Sequence, residues 1–280
     1  MPIEEGLKVQ QREAWGAVAP AWDHYFEWYA AGMRPLIDWC LHAAAIAPGS
    51  RVLDLGCGAG LPSLAIAQRV HPGGSVVATD ISPRMLHLAE RRAQSMQLSN
   101  ITFRAMDAES LDVPDSSFDA VTFTFGLMFC PDPARAVAEV RRVLAPGGRF
   151  AIAVWDKPSQ NPFLAVFGRA AAEVLELSRP DRRAPGPFRF AEPGELDGAL
   201  RAGGCDAFEV ESLPMTVEYE SVASYVAISR RFAAGLADKL GALSPEQDRR
   251  LADLVAEAVA PYRNGDAVRL GASVLCARGR

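Results

Sequence analysis

The sequence predicts an α/β fold built on a mostly parallel sheet, and three observations carry that prediction. From residue 51 to 156, short apolar runs alternate with amphipathic helical runs. The apolar runs are near-continuous, as strands covered by helices on both faces must be. Glycines or acids follow the first four of them. Right-handed crossovers would gather these strand ends along one edge of the sheet, the edge where open α/β sheets bind ligands.

Composition narrows the function classes. A chain of 280 residues with 49% hydrophobic residues buries an ample core without disulfides or a structural metal, in one or two domains. A net charge of −5 gives no basic field for a phosphate backbone. No run approaches the roughly 18 apolar residues of a membrane span, and MPIEEGLKVQ lacks the pattern of a secretory leader. Cys40, Cys57, Cys130, Cys205 and Cys276 are scattered and never form C-x-x-C, which points to reduced thiols in the cytoplasm and to no metal centre.

The elements follow in order. Residues 8–30 read as one helix and 33–47 as a second, and four of the five tryptophans (Trp15, Trp22, Trp28, Trp39) fall there. Aromatics at 22, 25, 26 and 29 keep i, i+3, i+4, i+7 spacing, and Trp15 lies one heptad before Trp22. Such a stripe either packs on the core or closes as a lid over an apolar ligand. RVLDLGCG is then a strand ending in glycines, LPSLAIAQRV a helix and GSVVATD a second strand. A helix follows with Ser82 at its N-cap and Pro83 at its first position. NITFRAMD and FDAVTFTFG are the third and fourth strands. DPARAVAEVRRVL is a helix opened by Asp132, APGG a turn and RFAIAVWD the fifth strand.

The strand ends carry the chemistry. Gly56, Gly58 and Gly60 follow the first strand, where glycine allows a sharp turn and close approach of a ligand. Asp80, 24 residues beyond Gly56, is placed to accept the two hydroxyls of a ribose. Asp107-Ala108-Glu109 follows the third strand, where an oxygen would accept the exocyclic amine of adenine. An apolar bend, Phe125 to Phe129, follows the fourth. Together they describe a nucleoside site. The loop departs from G-x-G-x-x-G, residues 54–63 hold no Arg or Lys for a pyrophosphate, and no P-loop motif exists, so a cofactor without phosphate fits better.

In VLDLGCGAG, VVATDIS, MDAESLDVPDSSFDAV, FGLMFCPDPARAVAEVRRVLAPGGRF and AIAVWD, residues 51–156 resemble the core of the class I S-adenosylmethionine-dependent methyltransferases. The subgroup is the small-molecule, menaquinone/ubiquinone-methyltransferase-like one. The resemblance implies a seven-stranded, mostly parallel Rossmann-like methyltransferase sheet with an N-terminal helical lid and a helical cap insertion. The cofactor implied is S-adenosylmethionine, with S-adenosylhomocysteine as product. Asp54, Gly56, Gly58 and Gly60 would contact its methionine part, and Asp80 the ribose. Ile81 and Met85 would pack on adenine, Asp107 and Ala108 would read its edge, and Phe125, Gly126 and Trp22 would lie near the sulfonium. Tyr25, Tyr29, Met128, Trp155 and Asn161 are the candidate acceptor contacts.

The expected organisation is a lid over 1–47, a core over 48–156 and 200–280, and substrate cap segments over 157–199 and 220–262. Within these, 208–219 and 267–279 read as the antiparallel end of the sheet and 162–177 as a helix. Arg179, Arg182, Arg183 and Arg189 form a local basic patch. Of the four histidines, His42, His71 and His87 fall on the outer layer, and His24 in the lid stripe is the candidate general base, ahead of Tyr25, Tyr29 and Asp156. The function expected is methyl transfer to a small, largely apolar metabolite through an O-, N- or C-acceptor. The partners expected are that substrate and a second copy of the chain in a homodimer, with no nucleic acid and no membrane span. Two other readings stay open: a nicotinamide-dependent oxidoreductase, and a non-catalytic S-adenosylmethionine-binding protein.

Overall fold

A computed structural model describes residues 3–178, 181 and 183–280. Three helices come first, α1 (Ile3–His24), α2 (Phe26–Gly32) and α3 (Arg34–Ala43). The sheet then alternates with helices: β1 (Arg51–Leu55), α4 (Ser63–Val70), β2 (Ser75–Asp80), α5 (Pro83–Ser95), β3 (Ile101–Ala105), β4 (Phe118–Thr124), α6 (Pro133–Val143) and β5 (Leu144–Trp155). The remainder is α7 (Pro162–Val174), α8 (Glu195–Ala202), β6 (Phe208–Tyr219), α9 (Val222–Phe232), α10 (Ala237–Gly241), α11 (Pro245–Val259), β7 (Arg263–Asn264) and β8 (Ala267–Gly279).

The strands lie in the order β3-β2-β1-β4-β5-β8-β6, with the two-residue β7 paired to β8. β1 to β5 are mutually parallel and β8 runs antiparallel to both β5 and β6. The chain order reverses at β1, between β2 and β4, so a crevice opens beyond the carboxyl ends of these strands. The central strands supply the rigidity. Val52, Leu53 and Leu55 of β1 and Val121 of β4 are wholly buried, and each such side chain contributes about 1.5–3 kcal/mol of transfer free energy.

Several boundaries move. The first helix ends at His24 and α2 restarts at Phe26, although Tyr25 N–H to Ala21 O and Tyr29 N–H to Tyr25 O carry the helical bonding through the junction. The aromatic stripe therefore turns a shallow corner at Tyr25. α3 stops at Ala43, before Ala45 turns to φ +50°. APGG is a bulge inside β5, between the pairs Phe118–Leu144 and Ala120–Arg149. Ser82 occupies the N-cap of α5, but its hydroxyl makes no capping bond and is buried without a partner. Asp132 does cap α6, accepting from Arg135 N–H at 3.1 Å. Among the described residues, no helix is long and apolar enough to cross a membrane.

Candidate active site along the strand ends

The loop after β1 is shaped by its glycines and by β2. Gly58 takes φ +53°, and a Cβ there would meet nothing within 4 Å, so the backbone faces open space. Its N–H donates to Asp80 Oδ2 at 2.9 Å, and Cys57 N–H donates to Thr79 O at 2.8 Å. The other Asp80 oxygen accepts from Ser82 N–H at 2.8 Å. Burial raises the Asp80 pKa, while these backbone donors oppose the rise and hold the carboxylate in one orientation. Asp80 lines the cavity together with Gly56, Gly58, Ile81 and Met85.

Asp54 corrects the sequence reading. It does not line the cavity. It lies fully buried beneath the loop, accepting from the Ser63 hydroxyl and from Thr122 Oγ1 at 2.6 Å. Burial pushes its pKa up to about 6, against the pull of those two hydroxyls. Gly60 also lies off the wall.

The β4 end is held in an uncommon conformation. Phe125 has φ +59°, a region that costs a non-glycine residue about 1–3 kcal/mol, and its N–H donates to Ala153 O at 2.7 Å. Its ring stacks on Trp155 with centroids 4.0 Å apart and 17° between planes. Trp155 therefore supports Phe125 from behind and does not itself line the cavity, contrary to its expected contact with the acceptor. At Gly126 a Cβ would fall 2.2 Å from the Phe123 ring, so only glycine fits. Met128 is in the core at 1% exposure, and Asn161 spends its amide on Asp156 O, Ser273 O and Ser273 N–H. Neither reaches the cavity, which removes both from the acceptor contacts.

The opposite wall comes from the N-terminal helices. Lys8, Gln11, Trp15 and Trp22 of α1 line it. Phe26, Tyr29, Met33, Leu36, Ile37 and Cys40 of α2, α3 and their junction add apolar side chains to the same cavity as Phe125 and Gly126. The tryptophans divide into two pairs. Trp28 donates to Glu218 O at 3.1 Å and Trp39 to Glu211 Oε1 at 2.8 Å, anchoring the helices to β6, whereas Trp15 and Trp22 line the cavity. Trp22 meets Tyr29 and Phe232 edge-on, at 4.6 and 4.8 Å between centroids. Among the described residues, none from 157–199 or 220–262 lines the cavity, and Phe232 of α9 packs on the lid residues Trp22 and Tyr29.

His24 is also corrected. It is exposed, lies edge-on to Tyr25 and is absent from the cavity wall, as is Tyr25 itself. No histidine lines the cavity among the described residues. Burial pushes the Tyr29 hydroxyl and the Cys40, Cys57 and Cys130 thiols upward, so these liners stay protonated. In the basic patch, Arg179 and Arg182 lie outside the described residues. Arg189 is committed to Cys130 O and Pro131 O.

Two residues were missed. Arg92 of α5 donates to Asp23 Oδ1 at 2.7 Å, Asp23 O at 3.2 Å and Ala59 O at 3.3 Å, and lies 3.9 Å over the Phe26 ring. It joins the glycine loop to the corner between α1 and α2. Nothing local in the sequence marks it. Lys8 pairs with Asp107 and Glu109, at 2.7 and 2.6 Å. It was within reach, because the heptad step from Trp22 to Trp15 leads one step further to Lys8.

Residues 53–152 match the family model described as a methyltransferase domain. The chain is 37% identical over 175 residues to a demethylmenaquinone methyltransferase of Deinococcus radiodurans, covering 61% of this chain and 70% of that protein. It is 40% identical over 134 residues to a demethylmenaquinone methyltransferase of Thermus thermophilus, a match covering 48% of this chain and 58% of the relative's length. The solved structure of the YcgJ protein from Bacillus subtilis superposes with a TM-score of 0.60 at 21% identity, covering 87% of this chain and 96% of that one, a likeness of fold.

Proposed function

We propose, since the chain belongs to the class I S-adenosylmethionine-dependent methyltransferases of the quinone-methyltransferase type, that it methylates a small, largely apolar acceptor. One observation carries this reading. A single cavity is lined by the acids Asp80, Asp107 and Glu109, by the glycine loop, and by apolar side chains of the three N-terminal helices. The open space beside Gly58 and the fixed carboxylate of Asp80 suit the cofactor's adenosyl part.

In this reading Asp80 takes the ribose hydroxyls, Ile81 and Met85 pack on adenine, and Asp107 with Ala108 takes its edge. The backbone at Gly56 and Gly58 lies along the methionine part, shaped from beneath by Asp54 and Gly60. Phe125, Gly126 and Trp22 enclose the reacting centre, and Tyr29 belongs to the acceptor lobe. α1 to α3 act as the lid, and α9 backs it. S-adenosylmethionine supplies an activated methyl group when bound. The chain supplies position, and well-oriented groups gain effective molarities of about 10⁵–10⁸ M. The lid excludes water, and the ring faces of Trp22 and Phe125 favour a cationic methyl by about 0.5–2 kcal/mol. No base is assigned, so the acceptor arrives as an acidic enol or phenol, or with a lone pair. The reduced, ring-hydroxylated form of a quinone such as the demethylmenaquinone in the two relatives' names fits such a lobe.

The net charge of −5 favours a small molecule over nucleic acid, and five free thiols favour the cytoplasm. A homodimer is kept as the assembly to be measured. The test is calorimetric titration with S-adenosylmethionine, S-adenosylhomocysteine and nicotinamide cofactors, followed by a labelled-methyl screen of naphthols, naphthoquinols, phenols and amines. Binding of S-adenosylmethionine and S-adenosylhomocysteine, together with a labelled product, supports the reading. Binding of a nicotinamide cofactor alone overturns it, and cofactor binding without transfer to any acceptor reduces the protein to a binder.

A further inference from the structure

Lys8 sits in the second turn of α1, with its side chain 12% exposed. Its ammonium meets Asp107 Oδ2 at 2.7 Å and Glu109 Oε2 at 2.6 Å, and it lines the cavity. Both acids are already fixed by backbone donors. Asp107 Oδ1 accepts from Glu109 N–H at 2.9 Å, and Glu109 Oε1 accepts from Asp132 N–H at 2.9 Å. An ammonium carries three N–H donors. One donates to Asp107, Glu109 Oε2 is in ionic contact without a hydrogen bond, and the ammonium has no other partner among the described residues. The Ala108 N–H likewise donates to no group among the described residues.

The cavity end thus presents the Asp107 carboxylate as an acceptor beside Glu109, with two donors next to it. One is the neighbouring backbone N–H and the other is the ammonium in ionic contact. Adenine presents the complementary set, a 6-amino donor flanked by the ring acceptors N1 and N7. We infer that Lys8 is a cofactor-specificity residue. Its free N–H donates to N7, while Asp107 accepts from the 6-amine and Ala108 N–H donates to N1. This rests on the methyltransferase reading above. The rival role is mechanical, an ionic clasp that holds α1 down on the sheet edge. A clasp has no interest in N7.

The experiment crosses a ligand change with a protein change. Calorimetry measures S-adenosylhomocysteine and its 7-deaza analogue, which lacks only the N7 acceptor, on the native protein, Lys8→Met and Lys8→Arg. The native protein is expected to prefer the natural ligand by about tenfold or more, the worth of a hydrogen bond to a charged group. Lys8→Met is expected to erase that preference and Lys8→Arg to retain most of it. Equal binding of the two ligands by the native protein overturns the inference without any variant needing to fold. So does Lys8→Met weakening both ligands by the same factor, which is the signature of the clasp. If the native protein binds neither ligand, the methyltransferase reading falls and takes this inference with it. The two failures are distinct, because the first leaves native binding of S-adenosylhomocysteine intact.

Discussion

The two ends of the cavity are built differently. The end proposed for the nucleoside is made of charged and backbone groups held by further hydrogen bonds: Asp80 by Gly58 and Ser82, Asp107 by Glu109, Glu109 by Asp132. The end proposed for the acceptor is made of side chains on two short helices and their junction, Phe26, Tyr29, Met33, Leu36 and Ile37, with no ion among them. A hydrogen-bonded carboxylate recognises one geometry, because leaving any partner unpaired is costly. An apolar wall recognises volume, and one methylene more or less changes affinity by only about 1–3 kcal/mol. One end is thus suited to a single fixed cofactor, and the other to a substrate that can differ between relatives without rebuilding the sheet.

The largest expected effect tests the nucleoside end. Asp80→Ala removes the carboxylate proposed to accept two ribose hydroxyls and also releases Gly58. Two hydrogen bonds to a charged group are worth about 4 kcal/mol, so S-adenosylhomocysteine affinity should fall by nearly a thousandfold. Calorimetry reads this directly, and unchanged affinity would mean that the cofactor does not lie along β2.

A second effect belongs to the layer beneath. Asp54 titrates near 6 in the fold against 3.8 unfolded, so the folded state holds its proton more tightly. Its stabilising contribution is complete below 3.8 and is lost as pH rises through about 6, a change of about 3 kcal/mol. Chemical denaturation from pH 4 to 7 should show this decline, and Asp54→Asn should flatten it. A native profile with no such slope would mean that Ser63 and Thr122 fully compensate the burial.

The same contrast explains what was legible. Gly56, Gly58, Asp80 and Asp107 follow strands at short, local spacing, and strand ends converge wherever parallel strands are joined by right-handed crossovers. Asp54 was misplaced because its residue type was read without its direction. The signal was present, since Thr122 is a hydroxyl inside an apolar strand and pairs with Asp54 across β1 and β4. Trp155, Met128 and Asn161 were misjudged because the sheet fills both of its faces. Being near a strand end does not decide whether a side chain points at the crevice or into the packing. Asn161 is claimed by Ser273, 112 residues away, a contact no local pattern reveals. The lid tryptophans look alike in the sequence, yet two of them anchor on β6 only because β6 lies at the far edge of the sheet.

Arg92 links the two ends and should give an intermediate effect. Its guanidinium caps the last carbonyls of α1, where a cation is favoured by the helix dipole, and stacks on Phe26 of the acceptor lobe. Arg92→Met should raise the KM for the acceptor by about tenfold while changing S-adenosylhomocysteine affinity less, because its one bond to the glycine loop is long at 3.3 Å. Equal losses at both ends would show that the loop, and not the lid corner, depends on this residue.

The smallest effect is the most pointed. An acceptor end without ions or histidines has no resident base, and His24 is held outside it, exposed and against Tyr25. His24→Ala should therefore leave turnover of the first acceptor found in the labelled-methyl screen unchanged. A large fall in kcat in His24→Ala would mean something else. It would show that the corner at Tyr25 rotates on substrate binding and carries the imidazole inward. The acceptor end would then be a surface completed only when occupied, and its difference from the rigid nucleoside end would be one of timing as well as of chemistry.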